Sequence, residues 1–258
     1  MHRAAGPVHG RASAAPTGGP GVKRLLVLWD IDGTLIDDGG LCQVIYPRAF
    51  ERLTGRPARH PVAIAGRTEL DIMAELFARH GVSPVVQSLV TAELAAQLRR
   101  LASEFRAAGR VLPGAVEALR AMAEQREVAQ SVLTGNLKPN AILKLRLFGL
   151  AEFLDLGVGG YGDDAHDRAA LVPVARRRAA AAYGHDFDAD STVLIGDTPR
   201  DVRAARIGGA RVIAVASGAS SAAVLTDAGA DAVLADLRDT AALLRTVQAL
   251  RPAARSSG

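Results

Sequence analysis

Short apolar runs alternate with longer stretches of helical period along most of the chain. The runs Lys23–Asp30 (KRLLVLWD), Val128–Thr134 (VAQSVLT), Phe153–Val158, Thr192–Gly196 (TVLIG), Ala210–Val215 (ARVIAV) and Ala232–Leu234 predict strands. Between them, Ala115–Arg126, Pro139–Phe148, Ala169–Tyr183, Pro199–Ile207 and Ser220–Ala228 predict helices, and Leu237–Leu250 a closing helix. The turns between them carry Gly, Asp, Thr or Pro, residues suited to helix starts. Such alternation is the signature of an α/β fold, a Rossmann-like doubly wound parallel sheet. One interval breaks the rhythm. From about Gly40 to Arg110 the pattern gives only helices, at Cys42–Leu53, Glu69–His80 and Pro84–Ala108. About 70 residues without a strand exceed an ordinary crossover, so this interval reads as an inserted all-helical cap, with Leu35–Gly40 and Gly109–Gly114 as its stems. The predicted organisation is therefore a core of residues 23–39 and 111–250, a cap of residues 40–110, and disordered tails at 1–22 and 251–258. Open α/β sheets bind ligands beyond the carboxyl ends of their strands, so an insertion leaving the first strand there lies over the crevice.

Composition changes this picture little. The 258 residues are 49% hydrophobic and 22% charged, which supports a sizeable core and excludes wholesale disorder. No apolar stretch reaches the ~18 to 20 residues of a membrane span. The opening residues have no continuous apolar segment of the kind a signal peptide carries. A single cysteine, Cys42, excludes an internal disulfide. The expectation is a soluble, cytoplasmic protein. The sequence pI of about 9.7 invites a nucleic-acid reading. Of the 31 Lys and Arg, however, Arg3, Arg11, Arg251 and Arg255 lie in the two acid-free tails, which leaves 27 of each sign between them. A balanced interior with few aromatics predicts no nucleic-acid partner.

Candidate chemistry gathers at three strand ends. Asp30-Ile31-Asp32-Gly33-Thr34-Leu35 ends the first strand, Leu133-Thr134-Gly135-Asn136 the second, and Gly196-Asp197-Thr198-Pro199-Arg200-Asp201 the fourth. A parallel sheet with right-handed crossovers brings all three to one edge. Singly, Asp30 or Asp197 reads equally as a turn cap and Thr134 as a strand-end hydroxyl; the convergence is what points to a site. Several carboxylates in one place repel unless a cation sits among them, and oxygen ligands without His or Cys suit a hard ion, Mg²⁺ where phosphate is also held. A carboxylate can also act as a nucleophile. Residues i and i+2 of a strand face the same way, so Asp30 and Asp32 can address one reacting centre.

DIDGTL, LTGN and GDTPRD, in that order, resemble the motifs of the haloacid dehalogenase superfamily in its phosphatase branch, and the helical insertion resembles that family's small C1 cap. The resemblance implies that Asp30 is the nucleophile and Asp32 the general acid and base. It implies Mg²⁺ held by Asp30, the Asp32 carbonyl, Asp197 and Asp201, and a phosphoryl group held by Thr134, Gly135 and Asn136. The family also places a basic residue ahead of the helix that precedes the last motif. Arg168 is the best-placed candidate here, with Lys138 its rival. Gly66-Arg67-Thr68 resembles a cap loop of phosphoglycolate-phosphatase-like members, where Arg67 either meets a substrate anion or serves the cap surface.

Other residues have plainer readings: Asp37 and Asp38 as stem residues, Cys42 as a small buried hydrophobe, the six histidines as structural or exposed, and Arg176–Arg178 as a solvated helix face. The implied activity is Mg²⁺-dependent hydrolysis of a small phosphorylated metabolite, phosphoglycolate first, through an aspartyl-phosphate. Asp32, Asp197 and Asp201 argue against a metal-free dehalogenase. The absence of lysine from residues 40–110 argues against a Schiff-base phosphonate hydrolase. A phosphosugar mutase of the same superfamily stays open. A receiver-like phospho-accepting domain is disfavoured by the cap and by Asp32.

Overall fold

The computed structural model describes residues 22–250, so the readings of residues 1–21 and 251–258 as disordered lie outside the described residues. Its first strand, β1 (Leu25–Trp29), leads into a two-residue strand β2 (Ile36–Asp37), after which come helices α1 (Cys42–Thr54), α2 (Glu69–Arg79), α3 (Gln87–Arg100) and α4 (Ala102–Ala108). The chain returns through β3 (Arg110–Val111), which pairs antiparallel with β2, and Leu112 N–H adds a bond to the Leu35 carbonyl. This small ribbon is the stem joining the helical segment to the sheet. The expected helix over Pro84–Ala108 is broken at Leu101, whose φ of −97° and ψ of 12° leave helical geometry between α3 and α4.

Beyond the stem follow α5 (Ala115–Ala123), β4 (Val128–Val132), α6 (Lys138–Leu147), α7 (Leu171–Tyr183), β5 (Thr192–Gly196), α8 (Pro199–Gly208), β6 (Arg211–Val215), α9 (Ala222–Asp227), β7 (Ala232–Leu234) and α10 (Thr240–Ala249). The five longer strands form a parallel sheet in the order β4-β1-β5-β6-β7. β1, flanked by β4 and β5, is buried along its whole length, and its side chains alternate between two apolar layers. Leu25, Val27 and Trp29 pack with α5, α6, α10 and the cap helices, whereas Leu26 and Leu28 pack with α7, α8 and α9. Burial on both faces is what makes these strands read as continuous apolar runs.

The strand expected at Phe153–Val158 does not form. Ala151–Phe153 is a 3-10 turn, and Asp155 turns its carboxylate onto Gly157 N–H at 2.9 Å. That local turn breaks the extended run. The segment still flanks β4: Asp155 N–H donates to the Gln130 carbonyl, and Gly160 N–H to that of Val132.

Candidate active site

β1, β4 and β5 lie side by side in parallel, so their carboxyl ends share one edge of the sheet. Asp30 follows β1 directly, with its N–H bonded to the Ile195 carbonyl at 2.8 Å. Gly33, at φ 85°, turns the chain away, and a Cβ there would collide with the Asp197 carboxylate. Asp197 follows β5 and accepts from the Thr34 hydroxyl at 3.0 Å. Asp201 stands in the first turn of α8, where a capping box with Thr198 fixes it: its Oδ2 takes Thr198 N–H at 3.0 Å and the Thr198 hydroxyl at 2.6 Å. Each of Asp30, Asp197 and Asp201 offers an oxygen within 4.8 Å of the others, and all three are buried.

Arg168 completes this cluster from a 3-10 turn, Arg168–Ala170, that leads into α7. Its Nη2 lies 2.8 Å from Asp30 Oδ1 and 2.5 Å from Asp201 Oδ1. Lys138, the rival candidate, begins α6 and sets its Nζ over the Tyr161 ring at 5.2 Å. Three carboxylates against one guanidinium leave two negative charges uncompensated. Burial, opposed by Arg168 and reinforced by Asp201, pushes the Asp30 carboxyl well above its ordinary range. Burial and the neighbouring Asp201 and Asp30 do the same to Asp197. Asp201 Oδ1 and Arg168 Nε, both buried, have no aligned hydrogen-bond partner among the described residues. An all-oxygen set with excess negative charge fits a hard divalent cation.

Asp32 has different company. Lys144 Nζ contacts both its oxygens, at 2.8 and 2.7 Å, and Asn136 Nδ2 donates to Oδ2 at 2.8 Å. Lys144 is 1% exposed, and burial is outweighed by Asp32, Cys42 and Glu69, so the ammonium titrates above its ordinary range. In sequence Lys144 is a single charge on an ordinary helix, with nothing in its own segment to mark it as buried. Yet Leu137, Asn140, Ala141 and Lys144 share one buried face, the i, i+3, i+4, i+7 stripe. Glu69 is as inconspicuous in sequence. It reaches from the cap to Leu137 N–H at 3.0 Å and Asn140 Nδ2 at 2.9 Å.

Thr134 is fully buried, and its hydroxyl accepts from Asn136 N–H at 3.2 Å and Nδ2 at 2.8 Å. Neither the Thr134 proton nor Gly135 N–H has a protein acceptor among the described residues. Gly135 also lets the cap approach: its carbonyl accepts Glu69 N–H at 2.8 Å, and a Cβ there would run into the Arg67 carbonyl. Thr68 caps α2 through Asp71 N–H and donates to the His166 carbonyl at 3.0 Å. Arg67 is turned onto its own cap, bonded to Asp71 at 2.6 Å, to Glu75 and to the Ala63 and Asp71 carbonyls. The expected solvated face at Arg176–Arg178 is also corrected. Arg178 bonds Asp164 at 2.6 Å and Arg176 bonds the Thr192 hydroxyl at 3.1 Å, which leaves only Arg177 exposed.

A cavity of about 460 Å³ lies between cap and sheet, with Asp30, Asp32, Thr134, Arg168 and Asp197 on its floor. Among the described residues no helix is long and apolar enough to cross a membrane. A sequence model of the haloacid dehalogenase-like hydrolase family matches residues 27–206, a span that contains all three strand ends. The protein named phosphoglycolate phosphatase, plasmid, of Cupriavidus necator is 31% identical over 242 residues, covering 88% of this chain and 96% of that protein. A hydrolase from Pseudomonas syringae superposes with a TM-score of 0.63 at 23% identity, covering 87% of this chain and 99% of that one. CbbY from Rhodobacter sphaeroides, solved with phosphate, gives 0.62 at 19% identity, covering 83% and 95%. The two solved structures speak for the fold; the family match and the curated relative speak for descent, and on them the chain belongs to the haloacid dehalogenase-like hydrolases, as an enzyme of the phosphatase kind.

Proposed function

We propose that the protein is a Mg²⁺-dependent hydrolase of small phosphomonoesters that works through an aspartyl-phosphate on Asp30. The observation that carries this reading is the buried cluster of Asp30, Asp197 and Asp201 against the single guanidinium of Arg168, at the floor of the cavity. Asp30, the Asp32 carbonyl, Asp197 and Asp201 would hold the cation. When bound, it would neutralise their excess charge and draw electron density from the phosphoryl oxygens.

The side chains supply the rest. An Asp30 oxygen attacks phosphorus as the ester oxygen departs, so the P–O bond to the alcohol breaks while an acyl-phosphate bond forms. Asp32 gives its proton to the departing oxygen, then takes one from the water that cleaves the acyl phosphate. Lys144 and Asn136 fix that carboxylate from beneath the cavity. The Thr134 proton, Gly135 N–H and Arg168 are the donors for the phosphoryl oxygens, and such aimed donors are worth roughly 3 kcal/mol each in other enzymes. The relative's name puts phosphoglycolate first among substrates to try.

Phosphate release from a panel of small phosphomonoesters, with Mg²⁺ and with EDTA, tests the reading. Metal-dependent release that disappears in Asp30→Asn is expected; release that survives EDTA or the substitution contradicts it.

A further inference from the structure

The cap side of the cavity narrows the choice of leaving group. Three arginines line the cavity, Arg67, Arg110 and Arg168, and each is already paired. Arg168 lies on Asp30 and Asp201. Arg67 gives four of its N–H groups to Asp71, Glu75 and two carbonyls, and Arg110 pairs with Asp37. The nearby Lys144 belongs to Asp32. Among the described residues no unpaired cation therefore lines the cavity, and Asp37 and Asp38 line it too. A carboxylate placed there would meet these two acids, with the exposed, Asp37-paired Arg110 as a weak counter-charge.

Neutral groups are offered instead. Gln43 and Tyr46, three residues apart on one face of α1, both line the cavity. The Tyr46 ring is buried and its hydroxyl has no hydrogen-bond partner among the described residues, and neither has the amide of Gln43, which is exposed at the cavity. Burial raises the Tyr46 phenol well above its ordinary range, so it stays a neutral donor. A hydroxyl that opens onto the cavity with no protein partner is free to bond a ligand held there.

We propose that this site takes the phosphate ester of an uncharged, hydroxyl-bearing alcohol, a small polyol rather than a hydroxy acid, with Tyr46 and Gln43 bonding the alcohol's hydroxyl groups. The inference rests on the phosphomonoesterase reading. The cavity holds a polyol of a few carbons together with its phosphate. Sites built to hydrogen-bond a substrate hydroxyl discriminate strongly against analogues that cannot satisfy them.

The test compares kcat/KM for glycerol 3-phosphate with that for 2-phosphoglycolate and 3-phosphoglycerate, with p-nitrophenyl phosphate as the common reference. Glycerol 3-phosphate should exceed both acids by at least about tenfold. In Tyr46→Phe combined with Gln43→Ala, the ratio of glycerol 3-phosphate to the reference should fall by about tenfold, mainly through KM, as expected for two lost hydrogen bonds. If either acid matches or outruns glycerol 3-phosphate while the reference is hydrolysed, the inference is overturned and the phosphatase reading stands. An unchanged ratio in the double variant overturns the assignment to Tyr46 and Gln43. No release from any ester, the reference included, overturns both readings.

Discussion

Asp30 and Asp32 leave the same strand two residues apart and end in opposite surroundings. Asp30 is buried with two further carboxylates and one guanidinium, and burial raises its pKa. Asp32 is about one-third exposed and balanced by a buried lysine and an amide. The first environment has too little positive charge for its three carboxylates until a cation brings more; the second is complete within the protein. A nucleophile whose charge must be neutralised as phosphate arrives belongs in the first. A proton carrier that must hold its orientation through two steps belongs in the second.

The largest expected effect falls on the first environment. Asp30→Asn should lower kcat by at least about a thousandfold in the phosphate-release assay. Because it removes one of three crowded carboxylates, thermal unfolding of that variant without metal should occur at the same temperature as wild type or higher. Asp32→Asn should behave in the opposite way. It strands the buried Lys144 ammonium, at a cost of about 3 kcal/mol, the low end for a broken buried pair because Asp32 is partly solvated. Its melting temperature should drop accordingly in calorimetry, and a drop confined to Asp30→Asn would reverse the comparison.

Metal should act on one environment alone. Mg²⁺ at a hundred times its dissociation constant should stabilise the fold by about 2.7 kcal/mol. Asp197→Asn should erase that gain, whereas Lys144→Met should keep it.

The smallest effect concerns Glu69, whose pKa burial raises from 4.5 to about 7 against the pull of Lys144. A carboxyl raised in the folded state stabilises most below its unfolded pKa, and that contribution is lost as pH rises through the folded value. The stability difference between wild type and Glu69→Gln should therefore move in favour of the variant between about pH 4.5 and 7. A flat difference across that window would mean that Glu69 stays ionised beside Lys144.

The acids at the strand ends were legible because each follows an apolar run, and a parallel sheet dictates where such runs end. Trp29, Val132 and Ile195 lie in register, and that alone brings Asp30, Thr134 and Asp197 to one edge. What the chain hides is contact between distant segments. Lys144 looks like an exposed helix charge until the cap covers it, and Glu69 like an acid at a helix start until α6 receives it. Phe153–Val158 has a strand's composition, but the Asp155 side chain makes a turn of it. Arg67 fits a substrate-facing reading in sequence. Only in three dimensions do Asp71 and Glu75, one and two turns along α2, claim it first.

The most direct test of Asp30 as nucleophile is mass spectrometry of Asp32→Asn quenched in acid after incubation with Mg²⁺ and a phosphomonoester. The account predicts the added mass of one phosphoryl group on the peptide containing Asp30, lost on treatment with hydroxylamine. Phosphate release from wild type with no adduct on Asp30 in the variant, or with the adduct on another residue, would contradict it.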